Sequence, residues 1–237
     1  MIFVGTCGFP VSRERVFSSM DAVELQETFY DMPNSERMSR LKGEAHPDFK
    51  FSVKVFQGIT HGPGSPTMKR SKHFTPAENT GNLKPTHQNL ELWDSFRKET
   101  LALAPSLYIF QTPPSFGSEE QLRDAYEFFK NIQHEAKVGW EPRGKAYNNA
   151  EMTIKIFDDL GVVHVYDPFR RSPIKVSGLQ YLRLHGKGNG ETNYSYIYTD
   201  GDLYELHLKV QKYSEAFVMF NNMNMFEDAK AFRSKFL

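Results

Sequence analysis

The 237-residue sequence is 39% hydrophobic and 14% aromatic, with 20 phenylalanines, which excludes a disordered or low-complexity chain. Its 29 Lys and Arg balance 29 Asp and Glu, which argues against a general nucleic-acid coat or a polybasic membrane binder. A single cysteine, Cys7, rules out an internal disulfide and a Cys-cluster metal site.

Taken in chain order, short β-prone runs alternate with helical patterns. Ile2–Thr6 is the first run, within an opening MIFVGTCGF that has neither a charged n-region nor a long apolar h-region. With no apolar stretch long enough to span a bilayer, the expectation is a soluble, cytoplasmic chain with no membrane partner. A short helix is expected over 11–20, a strand over Ala22–Glu27, a helix over 35–45 and a strand over Phe49–Phe56. The connection from Gln57 to Thr86 is long, and Lys69, Arg70, Lys72 and Lys84 against Glu78 leave it a formal charge of +3. Such a segment suits a basic lid over a binding site.

Leu90, Trp93 and Phe96 mark the next helix, followed by a strand over Leu107–Gln111. The clearest helix is 119–134, where Leu122, Ala125, Tyr126, Phe129 and Ile132 share a face and Ser118 with Gln121 can form a capping box. Strands Lys137–Glu141, Val162–Tyr166, Leu179–His185 and Ala216–Phe220 complete the set. Between and after them lie helical patterns at 149–160, around Leu203, Leu206, Val210 and Tyr213, and at 224–236. Repeated βα units imply a parallel sheet, and eight at this length favour an α/β fold of the (β/α)8 TIM-barrel type, one domain over 1–237. An open doubly wound sheet is the alternative, weakened by the lack of GxGxxG between an early strand and helix.

The strand ends carry the chemistry. They deliver Glu24 and Thr28, Lys54 and His61, Gln111, Glu141 and Arg143, Asp167, Arg183 and His185, and Asn221 with Asn222. Barrel enzymes build their sites at this C-terminal rim.

In the same order, VGTCGF, VELQETFY, FKFSVKV with ITH, IFQTPPSF, WEPR, YLRLHG, the tyrosines 194, 196 and 198, and FNN span nearly the whole chain. The sequence resembles the YecE-like family, TIM-barrel proteins of unknown function. It departs from that pattern at Gln26, where asparagine is usual, and at Glu27, where a small residue is usual. The resemblance implies the barrel and supplies no established reaction.

From the residues themselves, Arg183, Arg143 and Lys54 suit a carboxylate or phosphate, so the expected partner is a small anionic ligand. Arg183 could equally be a structural arginine paired with Glu141 or Asp167. Glu141, Asp167 and His185 are the candidate general acids and bases. Thr28, His61, Gln111, Glu24, Asn221 and Asn222 are candidate ligand contacts. No motif calls for a cofactor. A divalent metal held by Glu141, Asp167, His61 and His185 is the alternative, opposed by the neighbouring cations. Glycines 186, 188 and 190 could bring backbone amides to a phosphate. Cys7 reads as a small buried filler, and Tyr194, Tyr196 and Tyr198 as packing or as a stacking ledge. The equipment suits hydrolysis or isomerisation. Non-catalytic capture of an anion or of nucleic-acid phosphate, and metal-dependent phosphodiester cleavage, are the competing functions.

Overall fold

The computed structural model describes residues 1–132, 137–174 and 178–237. Its eight strands close in sequence order, β1 Ile2–Cys7, β2 Ala22–Leu25, β3 Lys50–Lys54, β4 Leu107–Gln111, β5 Lys137–Glu141, β6 Val163–Tyr166, β7 Leu179–Leu184 and β8 Glu215–Phe220. Each pair with a described register is parallel. The expected TIM barrel is therefore the observed fold.

Helices fall where the apolar periodicity puts them: α1 Arg13–Ser19, α2 Ser35–Glu44, α4 His87–Thr100, α5 Glu119–Asn131, α6 Ala150–Leu160, α7 Asp200–Val210 and α8 Met225–Phe236. The one not foreseen is α3, a single turn at Gln57–Thr60. At α5 the Ser118–Gln121 capping box is present, and Leu122, Ala125, Phe128 and Phe129 are buried. The expected end of that helix at 133–134 lies outside the described residues.

By its contacts the chain forms two compact units. The first comprises Met1–Leu25, Glu44–Ser52 and His164–Leu237. Here β1 runs between β2 and β8, aligning Cys7 with Glu24 and Val4 with Val218. Gly5 allows the closest approach, because a Cβ there would lie 2.1 Å from the Ala22 carbonyl oxygen. Gly5→Ala is thus expected to destabilise the protein by about 1–3 kcal/mol through strand displacement. Urea denaturation measures it, and an unchanged midpoint would contradict the tight β1–β2 packing.

The second unit comprises Gln26–Gly43 and Val53–Val163. All five residues of β4 are buried, as a strand covered on both faces requires. Trp93 meets Tyr108 and Phe110 at 5.0 and 5.2 Å between ring centroids. Trp140 stacks on Phe157 at 5.4 Å, and its Nε1–H donates to Thr112 Oγ1 at 3.2 Å. This aromatic packing holds β4 and β5 in a register that sets Gln111 beside Glu141.

Two expected strands stop two residues before the end of their apolar runs. β2 stops at Leu25, and Glu27–Phe29 turns as a 3-10 helix. β3 stops at Lys54, whose carbonyl accepts the Thr28 hydroxyl at 2.7 Å. The long 57–86 connection is largely folded: α3 and a 3-10 turn at Pro66–Arg70 lie within it. Arg70 stacks 4.3 Å over the Tyr30 ring and donates to its hydroxyl at 3.0 Å. The Lys72 amide donates to Asp31 at 2.9 Å, and Phe74 packs on Phe56. Asn89 of α4 accepts from the Gly81 amide and donates to the Lys84 carbonyl, closing the segment's far end.

Candidate functional site

In the first unit, β2 and β7 bring a charged network into the barrel interior. Arg183 and Glu24 are both completely buried, with Arg183 Nη2 3.0 Å from Glu24 Oε1. Glu24 is thus one carboxylate that Arg183 pairs with. Tyr181, two residues before Arg183 and so on the same strand face, donates to Glu24 Oε2 at 2.9 Å. Ser52 Oγ lies 2.5 Å from the Tyr181 hydroxyl, and Cys7 Sγ 3.7 Å from Glu24 Oε2. Burial, and next the Glu24 carboxylate, push the Tyr181 phenol well above its ordinary range. Cys7 is buried, as a filler would be.

Asp167 follows β6 and is held by backbone amides: Phe169 N–H to Oδ1 and His185 N–H to Oδ2, both at 2.9 Å. His185, the residue after β7, has Nδ1 3.7 Å from Asp167 Oδ2. A fixed carboxylate therefore stands beside a buried imidazole, the arrangement that orients a proton-transfer group.

The glycine-rich loop is braced by Arg170. Gly186, Gly188 and Gly190 have φ of +82°, +118° and +82°, a region only glycine enters freely. Their carbonyls turn to the Arg170 guanidinium, which donates to all three. Arg170 Nε also lies 3.5 Å from Asp167 Oδ2. Lys187 pairs with Asp202 at 2.8 Å and Glu205 at 3.1 Å. Burial opposes ionisation of Asp202, yet hydrogen bonds from Lys187, Tyr196 and Thr199 hold its carboxyl well below the usual carboxylate range. The loop's one cation thus meets two of the chain's own carboxylates. Asn222 is a brace as well: its amide donates to Asp228 at 2.6 Å and to the Tyr196 carbonyl at 2.7 Å. Tyr196 and Tyr198 serve packing, through Asp202 and the Gly186 amide respectively.

In the second unit, Lys54 ends β3 with only 8% of its surface exposed and its ammonium 4.1 Å over the Phe29 ring. His61 packs edge-on against the same ring at 5.1 Å, with Nδ1 2.8 Å from Thr60 Oγ1. Burial, then the charges of Lys54 and Arg143, push the His61 imidazole down to about 3. It is therefore neutral at pH 7. Glu141 ends β5, and its Oε1 accepts from Arg143 Nε at 2.9 Å and Nη2 at 2.7 Å. Gln111 is buried at the end of β4. Thr28 holds the Lys54 backbone in place.

Among the described residues no group of three or more His, Cys, Asp or Glu side chains is arranged to hold a metal ion. Nor is any described helix long and apolar enough to cross a membrane. Sequence reasoning passed over Arg170, Asp228 and Phe29. Arg170 had a visible signal in DPFRR, three residues after Asp167, whereas Phe29 was hidden among twenty phenylalanines.

A family model described as "Protein of unknown function DUF72" matches residues 14–236. The fold recurs in a DUF72 family protein from Enterococcus faecalis V583, at 20% identity and TM-score 0.73, covering 99% of this chain and 96% of that one. A DUF72 family protein from Thermotoga maritima MSB8 aligns at 20% identity and TM-score 0.70, covering 99% and 98%. No curated protein matches the sequence.

Proposed function

The chain belongs to the DUF72 family, the YecE-like proteins of unknown function, and from its own residues we propose an enzyme that moves a proton on a small phosphorylated or carboxylated substrate. The observation that carries this reading is the second unit's combination of two cations, a neutral imidazole and a carboxylate. Lys54 and Arg143 attract the anion. Burial next to those cations keeps His61 neutral, so it acts as a hydrogen-bond donor rather than an acid. With its proton on Nε2 and the Thr60 hydroxyl at Nδ1, it polarises a substrate carbonyl. Glu141, held at Oε1 by Arg143, takes the proton from the adjacent carbon. Isomerisation through an enediol is the reaction this set performs with least additional equipment. Hydrolysis is the second reading, favoured by Asp167 beside His185.

Solvent deuterium wash-in tests the first reading. Phosphorylated aldoses and ketoses and short 2-oxo acids are incubated with the protein in D2O, and loss of the α-proton is followed by NMR. We expect catalysed exchange in at least one compound, reduced by about 10²–10⁴-fold in Glu141→Gln at a temperature where that variant is fully folded. A panel in which the wild-type protein exchanges nothing overturns proton transfer and leaves anion capture.

A further inference from the structure

We propose that Asn189 is a self-modifying site, which converts to isoaspartate through a cyclic imide and so releases the Arg170 clamp on the glycine-rich loop. An asparagine carboxamide is open to attack by the backbone nitrogen of the following residue. A side chain on that residue obstructs the approach, and glycine has none. Asn189 is the one asparagine of the sequence followed by glycine. It stands in the segment after β7, within the first unit, and is exposed, as are Gly188 and Gly190. Both reacting groups are uncommitted. Among the described residues, neither the Asn189 carboxamide nor the Gly190 N–H makes a hydrogen bond. There is also room for the ring, since a Cβ placed on Gly190 would meet no atom within 4 Å.

The reaction needs only water. The Gly190 nitrogen bonds to Asn189 Cγ, the Cγ–Nδ2 bond breaks, and Nδ2 leaves as ammonia with the Gly190 amide proton. The imide then takes up one water. Opening at the side-chain carbonyl leaves aspartate, while opening at the main-chain carbonyl leaves isoaspartate, whose chain runs through Cβ. Isoaspartate adds a carbon to the backbone between two carbonyls that Arg170 holds, those of Gly188, at 3.2 Å, and Gly190. A planar guanidinium with fixed N–H directions cannot follow one displaced carbonyl and keep the others. Arg170 Nε also lies 3.5 Å from Asp167 Oδ2, the oxygen that accepts the His185 amide at 2.9 Å. The change at residue 189 therefore reaches the Asp167–His185 pair. This site lies wholly in the first unit and does not rest on anion binding.

The test incubates the folded, full-length protein in mildly alkaline buffer and samples it over days. Peptides from each sample are read by mass spectrometry, with isoaspartate identified by electron-transfer fragmentation. The His185 ring signal is followed by NMR in parallel, assigned through the His185→Gln variant. We expect residue 189 to gain about 1 Da as its NH2 becomes OH, with isoaspartate among the products. Conversion should be at least about tenfold slower in Asn189→Gln, whose longer side chain closes a larger ring. A second His185 signal should grow in proportion to the isoaspartate fraction and stay absent in Asn189→Gln. The proposal is overturned if Asn189 converts no faster than Asn79, an exposed asparagine that precedes a threonine. Conversion to aspartate alone overturns it too. So does a His185 signal that stays single as isoaspartate accumulates, or that splits equally in Asn189→Gln.

Discussion

Arg183→Met is expected to lower the unfolding free energy by about 3–5 kcal/mol, because it leaves Glu24 charged in the barrel interior with its ion-pair partner removed. Both side chains are completely buried. The desolvation of two charges is tolerable only while each faces the other, and removal of one exposes the full penalty of the second. Adding Glu24→Gln should recover a large part of the loss, since the amide still accepts from Tyr181 and carries no charge. Urea denaturation of the four proteins gives the coupling directly. Additive losses with no coupling would show that the ion pair is incidental to stability.

The second large effect is acid sensitivity from His61. Its folded pKa of about 3 lies below the ordinary 6.5, so between these values the unfolded chain binds a proton that the folded chain refuses. The contribution is complete above pH 6.5 and is lost as pH falls toward 3. The slope is at most about 1.4 kcal/mol per pH unit, and the total is on the order of 5 kcal/mol. His61→Asn, which keeps a polar atom near the Nδ1 position, removes the titration. The stability difference between wild type and variant should therefore shrink steadily from pH 6.5 to the lowest pH at which both fold. A difference that does not change with pH would mean that His61 is protonated in the folded protein.

Much of the barrel was legible because parallel strands covered on both faces read as unbroken apolar runs with polar ends. Lys54, Gln111 and Glu141 each end the strand on which the sequence had put them. Boundaries were less legible. VELQETFY continues as an alternating pattern past Leu25, but the 3-10 turn at Glu27–Phe29 ends the strand, and local periodicity cannot register a turn that the next element imposes. Pairing was least legible. Glu24 and Arg183 are 159 residues apart and meet only because β8 returns to β1 and closes the sheet. Partners within the glycine-rich loop were hidden for a related reason. GKGNG displays a lysine among glycines, while the carboxylates that engage it, Asp202 and Glu205, lie a turn of chain further on. Tyr194 is exposed and Tyr198 buried although both fall on the same alternation, which therefore does not specify burial here.

Anion binding at Lys54 and Arg143 is tested most directly by thermal unfolding in the presence of inorganic phosphate. A ligand bound to the folded state raises the melting temperature with a saturating dependence on its concentration. The expected result is such a rise in the wild-type protein, abolished in Lys54→Met while the phosphate-free melting temperature is kept. A wild-type melting temperature that phosphate does not raise saturably, or the same rise in Lys54→Met, would contradict it.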